Sequence, residues 1–302
     1  QPGSSSIMSV ESSVDTPKQD IKGWIVFVIL AFVWGGSFIL IKKGLIHFSA
    51  IEVGSLRIFI SAVAFVPTFY FARVEFPKGK VLIIAAITFI GNGIPAFLFA
   101  LAETRLGSAV TGVLNSLSPI FAVILAIVVF KTPFKRHYIL GLLFGCLGIV
   151  LLMLGEKDWQ VSFYISYVIV ATFCYGLSVN LVKKYGQGIH PISFTAIGFI
   201  SLGWIAALIL WSTGGLAKIF TAEVWMDSMP ALVTLAIVCT VFANILFNWL
   251  IQRTNAVFSS AIAYAIPCMA LVWGGLDGEV ISWYQIIGLG LIGSAIYTLR
   301  RR

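Results

Sequence analysis

The chain has 302 residues, of which 59% are hydrophobic and 11% charged, with a net charge of +8 and a mean hydropathy of +1.00. A soluble domain carries about a quarter charged residues, so this composition excludes an ordinary water-facing surface and points to a bilayer as solvent. The positive balance reads as membrane topology, not nucleic-acid binding, and Cys146, Cys174, Cys239 and Cys268 lie in apolar runs as packing residues.

Residues 1–22 are polar and Ser-rich (QPGSSSIMSVESSVDTPKQD) and are expected to be a disordered tail. Ten apolar windows follow, at 23–41, 51–71, 80–101, 106–130, 138–154, 162–182, 191–212, 230–251, 256–276 and 282–299. Most approach the ~20 residues that a helix needs to cross the hydrocarbon. Their connections, such as RVEFPKGK and KTPFKRH, are too short for a soluble domain.

With both termini placed in the cytoplasm, fourteen Lys and Arg fall on the cytoplasmic side and five outside, with Arg57 inside helix 2. That bias orients a multi-pass protein of the inner or plasma membrane.

Helix 1 also recurs. AFVWGGSFILIKK, from Ala31, matches TFCYGLSVNLVKK, from Thr172, at six of thirteen positions. FLFALAETRLGSAV from Phe97 is similar to ILFNWLIQRTNAVF from Ile245, and Pro119 corresponds to Pro267 at the same offset of 148. The unit is therefore five helices, at 23–155 and again at 156–302. An odd number of crossings makes the second unit enter from the opposite side. The expected fold class is all-α integral membrane, with ten transmembrane helices as two inverted five-helix repeats around a central cavity. Secondary transporters repeatedly use such a plan, with a midplane site between the halves.

VWGGSFILIKKGL in helix 1, LRIFISA around Arg57, LGSAVTGVLNSLSPIFAVILA in helix 4 and NAVFSSAIAYAIPCMALVWGGLDGEV in helix 9 resemble the drug/metabolite transporter superfamily, in its ten-helix EamA-type branch. The resemblance spans 23–299. It implies a basket of helices 1–4 and 6–9, with helices 5 and 10 at the side, and carriage of small metabolites. It also implies Glu after helices 4 and 9; Glu279 stands at the second position and Lys131 at the first.

Several residues are candidates for function. Arg57, the one formal charge well inside a span, reads as a gate or an anion anchor, as an outer-headgroup snorkel, or as a structural partner of Glu52 or Glu103. GNGIP interrupts helix 3, where Pro95 bends the chain and Asn92 faces either substrate or packing. Pro119 and Pro267 free the carbonyls of Asn115 and Ala263 and bend helices 4 and 9. Asn244 and Asn248 share a face of helix 8. With Trp34, Phe38, Phe99, Asn115, Tyr175, Asn180 and Tyr264 they suggest an apolar cavity with a few polar groups. For each of these cavity candidates the alternative is interhelical packing. Glycines 141, 145 and 148 and 288, 290 and 293 pack helices 5 and 10, with a homodimer seam as the sharper alternative.

The expected function is a secondary transporter or exporter of small organic metabolites, best amino acids or similar amphiphiles, working by alternating access. A drug or lipid-intermediate carrier and a non-transporting scaffold or sensor are the alternatives. The sequence has no Walker A motif, no protease or hydrolase constellation, and neither cofactor nor metal is expected. No Asp or Glu lies mid-span, which favours facilitated diffusion over proton coupling.

Overall fold

A computed structural model describes residues 21–68, 77–133, 136–154, 163–254 and 256–276, and scattered positions between 283 and 298. Each expected span up to 256–276 is helical over most of its described residues, and no strand occurs among the described residues. The expected tail lies outside them, except that helix already begins at Ile21. Helix 10 is described only at scattered positions, and Glu279 falls outside.

The first unit comprises α1 (Ile21–Gly44), α2 (Ala50–Phe65), α3 (Val81–Glu103), α4 and α5 (Arg136–Leu154). α4 is segmented into Ser108–Leu114, a 3-10 turn Asn115–Leu117, and Ser118–Val128. The second comprises α6 (Tyr164–Tyr185), α7 (Pro191–Ser212), α8 (Met229–Arg253) and α9, which runs as Ala256–Ser260 and Ile262–Leu276. α1, α3, α6, α7 and α8 are long and apolar enough to cross a membrane. The side of the bundle where α1 begins is here the proximal side, and its opposite the distal side.

Local chemistry sets several ends. Ser49 caps α2 in a reciprocal box: its hydroxyl accepts from the Glu52 amide at 3.3 Å, and Glu52 Oε2 accepts from the Ser49 amide at 2.7 Å. Such a cap contributes about 1 kcal/mol. Lys218, on the short helix Gly215–Lys218, then clamps the same carboxylate at 2.8 Å. Glu52 is therefore spoken for, and its pairing with Arg57, one of the alternative readings of that arginine, does not form.

The first helix of each unit packs into the other unit's territory. α1 lies against α8 and α9, while α6 lies against α3 and α4. The Trp24, Phe27 and Phe258 rings hold the first contact together proximally, with centroids 5.2–5.4 Å apart. Gly176 permits the second, since a Cβ there would meet the Ala122 nitrogen at 2.7 Å. Between the two sets, α2 packs on α7. Phe65 stacks on Phe199 there at 6.0 Å, and Gly203 leaves room for Ala62. This exchange of first helices leaves a space at the centre, walled by both units.

Candidate functional site

Two π-helical turns stand at equivalent places, 148 residues apart: Phe89–Gly93 in α3, which brings Gly91 and Asn92 to the wall of this space, and Ile237–Phe242 in α8, which lies behind Asn244. Wide turns of this kind leave backbone groups that need outside partners and are frequent at functional sites. The α3 turn carries the GNG triplet. The α8 turn, IVCTVF, has no glycine or proline and is held by tertiary contacts. Trp34 Nε1 donates to the Cys239 carbonyl at 2.9 Å, and Thr240 Oγ1 donates to the Leu235 carbonyl at 2.8 Å. Arg57 Nε in turn donates to Thr240 Oγ1 at 2.7 Å. Arg57 thus braces the α8 turn from α2 and forms no ion pair among the described residues.

The prolines act as their ring chemistry requires. Pro119 and Pro95 stand in the first turns of the helices that follow the breaks in α4 and α3, and Pro267 lies within the second segment of α9. The carbonyl that Pro267 frees, at Ala263, accepts from Ser116 Oγ at 2.9 Å. The one freed by Pro119, at Asn115, accepts from Ser118 Oγ at 2.8 Å. Both breaks are closed by serines of α4, so no backbone carbonyl there is left to solvate a ligand without competition.

A cavity of about 100 Å³, the space open to the centres of water-sized molecules, lies between the two units. Trp34, Phe38, Asn92, Phe99, Asn115, Tyr175, Asn244 and Asn248 line it, as does Arg57. Phe99 stacks on Tyr175 at 5.6 Å and meets Phe38 edge-on at 5.9 Å, forming an aromatic cover on the distal side. Trp34 meets Phe247 edge-on at 5.0 Å. Asn248 Nδ2 donates to Thr195 Oγ1 at 3.0 Å, and Asn244 Nδ2 to the Thr240 carbonyl at 2.8 Å. Asn92 is half-buried, and its amide has no hydrogen bond among the described residues.

Two candidates fall elsewhere. Asn180 is 5% exposed and absent from the lining; its Nδ2 donates to the Ala122 and Gly176 carbonyls, both at 2.9 Å, and fastens α6 to α4. Tyr264 is wholly buried in the core beside the α4 contact and does not reach the cavity. In the helix 5 and 10 stripe, Gly288 and Gly293 lie outside the described residues.

Sequence reasoning missed the hydroxyl lining: Ser37, Thr88, Ser118, Ser178, Thr195, Ser259 and Ser260. A signal for two of them was present. Ser37 and Ser178 are the same position of the internal repeat, 141 residues apart, and both reach the cavity.

The profile of the EamA-like transporter family matches residues 21–154 and again 162–301. An uncharacterized transporter of Archaeoglobus fulgidus is 24% identical over 93% of this chain and 100% of its own length. A probable amino-acid metabolite efflux pump of Salmonella typhimurium is 23% identical over 89% of this chain and 92% of its own. A crystal structure of a protein 14% identical superposes with a TM-score of 0.72 over 93% of this chain and 96% of that one, a likeness of fold alone.

Proposed function

The chain belongs to the EamA-like transporter family, and from that premise we propose that it moves small organic metabolites, amino acids or similar amphiphiles, by alternating access without ATP. It is an all-α integral membrane transporter built on two repeats. One observation carries the finer reading: the cavity joins aromatic faces to uncharged amides and hydroxyls, with Arg57 its one permanent charge among the lining residues. An amino acid or close derivative fits that chemistry, because its side chain can stack while its ammonium meets side-chain amide and hydroxyl oxygens and its carboxylate the guanidinium. The Salmonella relative's description as an amino-acid metabolite efflux pump supports the same class. The two-repeat plan supports alternating access, and the excess of basic residues in alternate loops supports cytoplasmic termini.

The test is uptake of a labelled amino-acid mixture into proteoliposomes of the purified protein. Saturable uptake, competed by unlabelled mixture, is expected. Protein-free rates with a correctly folded, reconstituted protein would move the substrate class away from amino acids.

A further inference from the structure

Glu103 closes α3 at the distal end of the bundle, where the sequence alone places it at a membrane surface. The structure buries it instead. It is 2% exposed, and neither carboxyl oxygen has a hydrogen-bond partner or a cation within pairing distance among the described residues. A carboxylate held in that way is strongly disfavoured, whereas a neutral acid is tolerated far better.

The charged groups acting on it come from two other helices: Lys42 on α1 and Arg57 on α2. α6, which packs along α3, carries Tyr164, Tyr167, Cys174 and Tyr175 on its first half, and the adjoining first segment of α4 has no titratable side chain. Arg105, two residues on, is exposed. Arg57 is already engaged with Thr240. Lys42 is exposed and makes no hydrogen bond or ion pair among the described residues.

The repeat supplies an independent clue. The counterpart of Lys42 is Lys183, 141 residues on, and the counterpart of Glu103 is Ile251, 148 residues on. At the proximal end Lys183 Nζ is seated on the last carbonyls of α8, donating to Ile251 at 3.3 Å, to Gln252 at 3.4 Å and to Thr254. The proximal latch is made, and its distal mate is not. At the distal end Glu103 stands where the proximal end has Ile251, and Thr104 and Leu106 stand where it has Gln252 and Thr254.

We propose that Glu103 binds the coupling proton, so that transport is proton-coupled and not facilitated diffusion, resting on the transport reading above. With the proton on its carboxyl, Glu103 is neutral and Lys42 stays in solvent, as in this structure. Loss of the proton to water leaves a carboxylate that draws Lys42 onto the end of α3, joining α1 to α3 as Lys183 joins α6 to α8. For the proton to cross, the alternating-access change that accompanies the latch must open Glu103 to the other phase, where reprotonation undoes the latch, one proton per cycle of the substrate site.

Two measurements on the full-length protein test this. The first is infrared difference spectroscopy of wild type against Glu103→Gln in bilayers, titrated in pH. A carbonyl band of a protonated acid, present in wild type, absent in the variant and converting to carboxylate at alkaline pH, is the expected result. Its absence across the titration overturns the proposal whatever the substrate is. The second is uptake of the labelled amino-acid mixture under an imposed pH gradient. Wild type and Glu103→Asp should accumulate label above equilibrium, and Glu103→Gln should lose that accumulation. Wild-type uptake indifferent to the gradient overturns the coupling. Failure of every variant to move the mixture counts against the amino-acid reading, and the infrared titration then decides Glu103 alone.

Discussion

Arg57 and Thr240 are joined by a 2.7 Å hydrogen bond across 183 positions of sequence, and the same threonine hydroxyl passes its own hydrogen to the Leu235 carbonyl at 2.8 Å. One hydroxyl therefore holds both a half-buried guanidinium and the widened turn of α8. Thr240→Val keeps the shape and strands both partners. Each buried group left unsatisfied costs about 1–3 kcal/mol. The melting temperature in detergent should fall measurably, and flux should fall with it because Arg57, which loses its partner, lines the cavity. Arg57→Ala should lower flux without reordering the preference among competing substrates.

Asn92 and Asn248 both line the cavity but differ in their internal bonds. Asn92 has none among the described residues, whereas Asn248 holds Thr195 at 3.0 Å. Loss of a substrate hydrogen bond of about 1 kcal/mol is worth roughly fivefold in transport efficiency. Asn92→Ala should show that loss with an unchanged melting temperature. Asn248→Ala should show it together with a lower one, and so should Asn115→Ala in smaller degree, since Asn115 makes only a long 3.4 Å contact to Ser118. Proteoliposome uptake with a parallel melt separates the three.

Asn180 makes the opposite case. Both of its bonds go to backbone carbonyls and none of its surface reaches the cavity. Asn180→Ala should lower stability by about 1–3 kcal/mol, while the protein that survives reconstitution keeps its apparent substrate affinity. A changed affinity with an unchanged melt would return this residue to the site.

Lys183 concentrates three carbonyls at the C-terminal end of α8, where a cation also complements the helix dipole. Lys183→Met keeps the aliphatic stem and removes the charge. The expected cost is about 1–2 kcal/mol of stability. Amide exchange at residues 251–254 should accelerate while that of α2 and α7 is little altered.

Close helix approach sets a further limit. A Cβ added at Gly91 would sit 2.1 Å from Ser178 Oγ, and one at Gly198 would sit 2.0 Å from Thr88 Oγ1. Overpacking of this sort costs about 1–3 kcal/mol. Gly91→Ala and Gly198→Ala should each reduce yield and melting temperature. The double change Gly91→Ala with Ser178→Ala should recover part of the first loss.

The membrane class, the five-helix unit and the places of the proline breaks were legible in the sequence. Hydrophobic content needs no knowledge of neighbours, a repeat is visible by self-comparison, and proline removes a backbone donor wherever it stands. Three decisions belonged to the tertiary structure. The α8 turn has no glycine or proline to announce it; it exists because Trp34 and Arg57 arrive from other helices with donors for it. Asn180 and Asn248 look alike on a helical wheel, yet one meets α4 and the other the cavity. Helical spacing tells which residues share a face and is silent on what lies opposite it. Glu103 shows the same limit most plainly: its position at a helix end suggests water, and only the packing of the surrounding helices takes that water away.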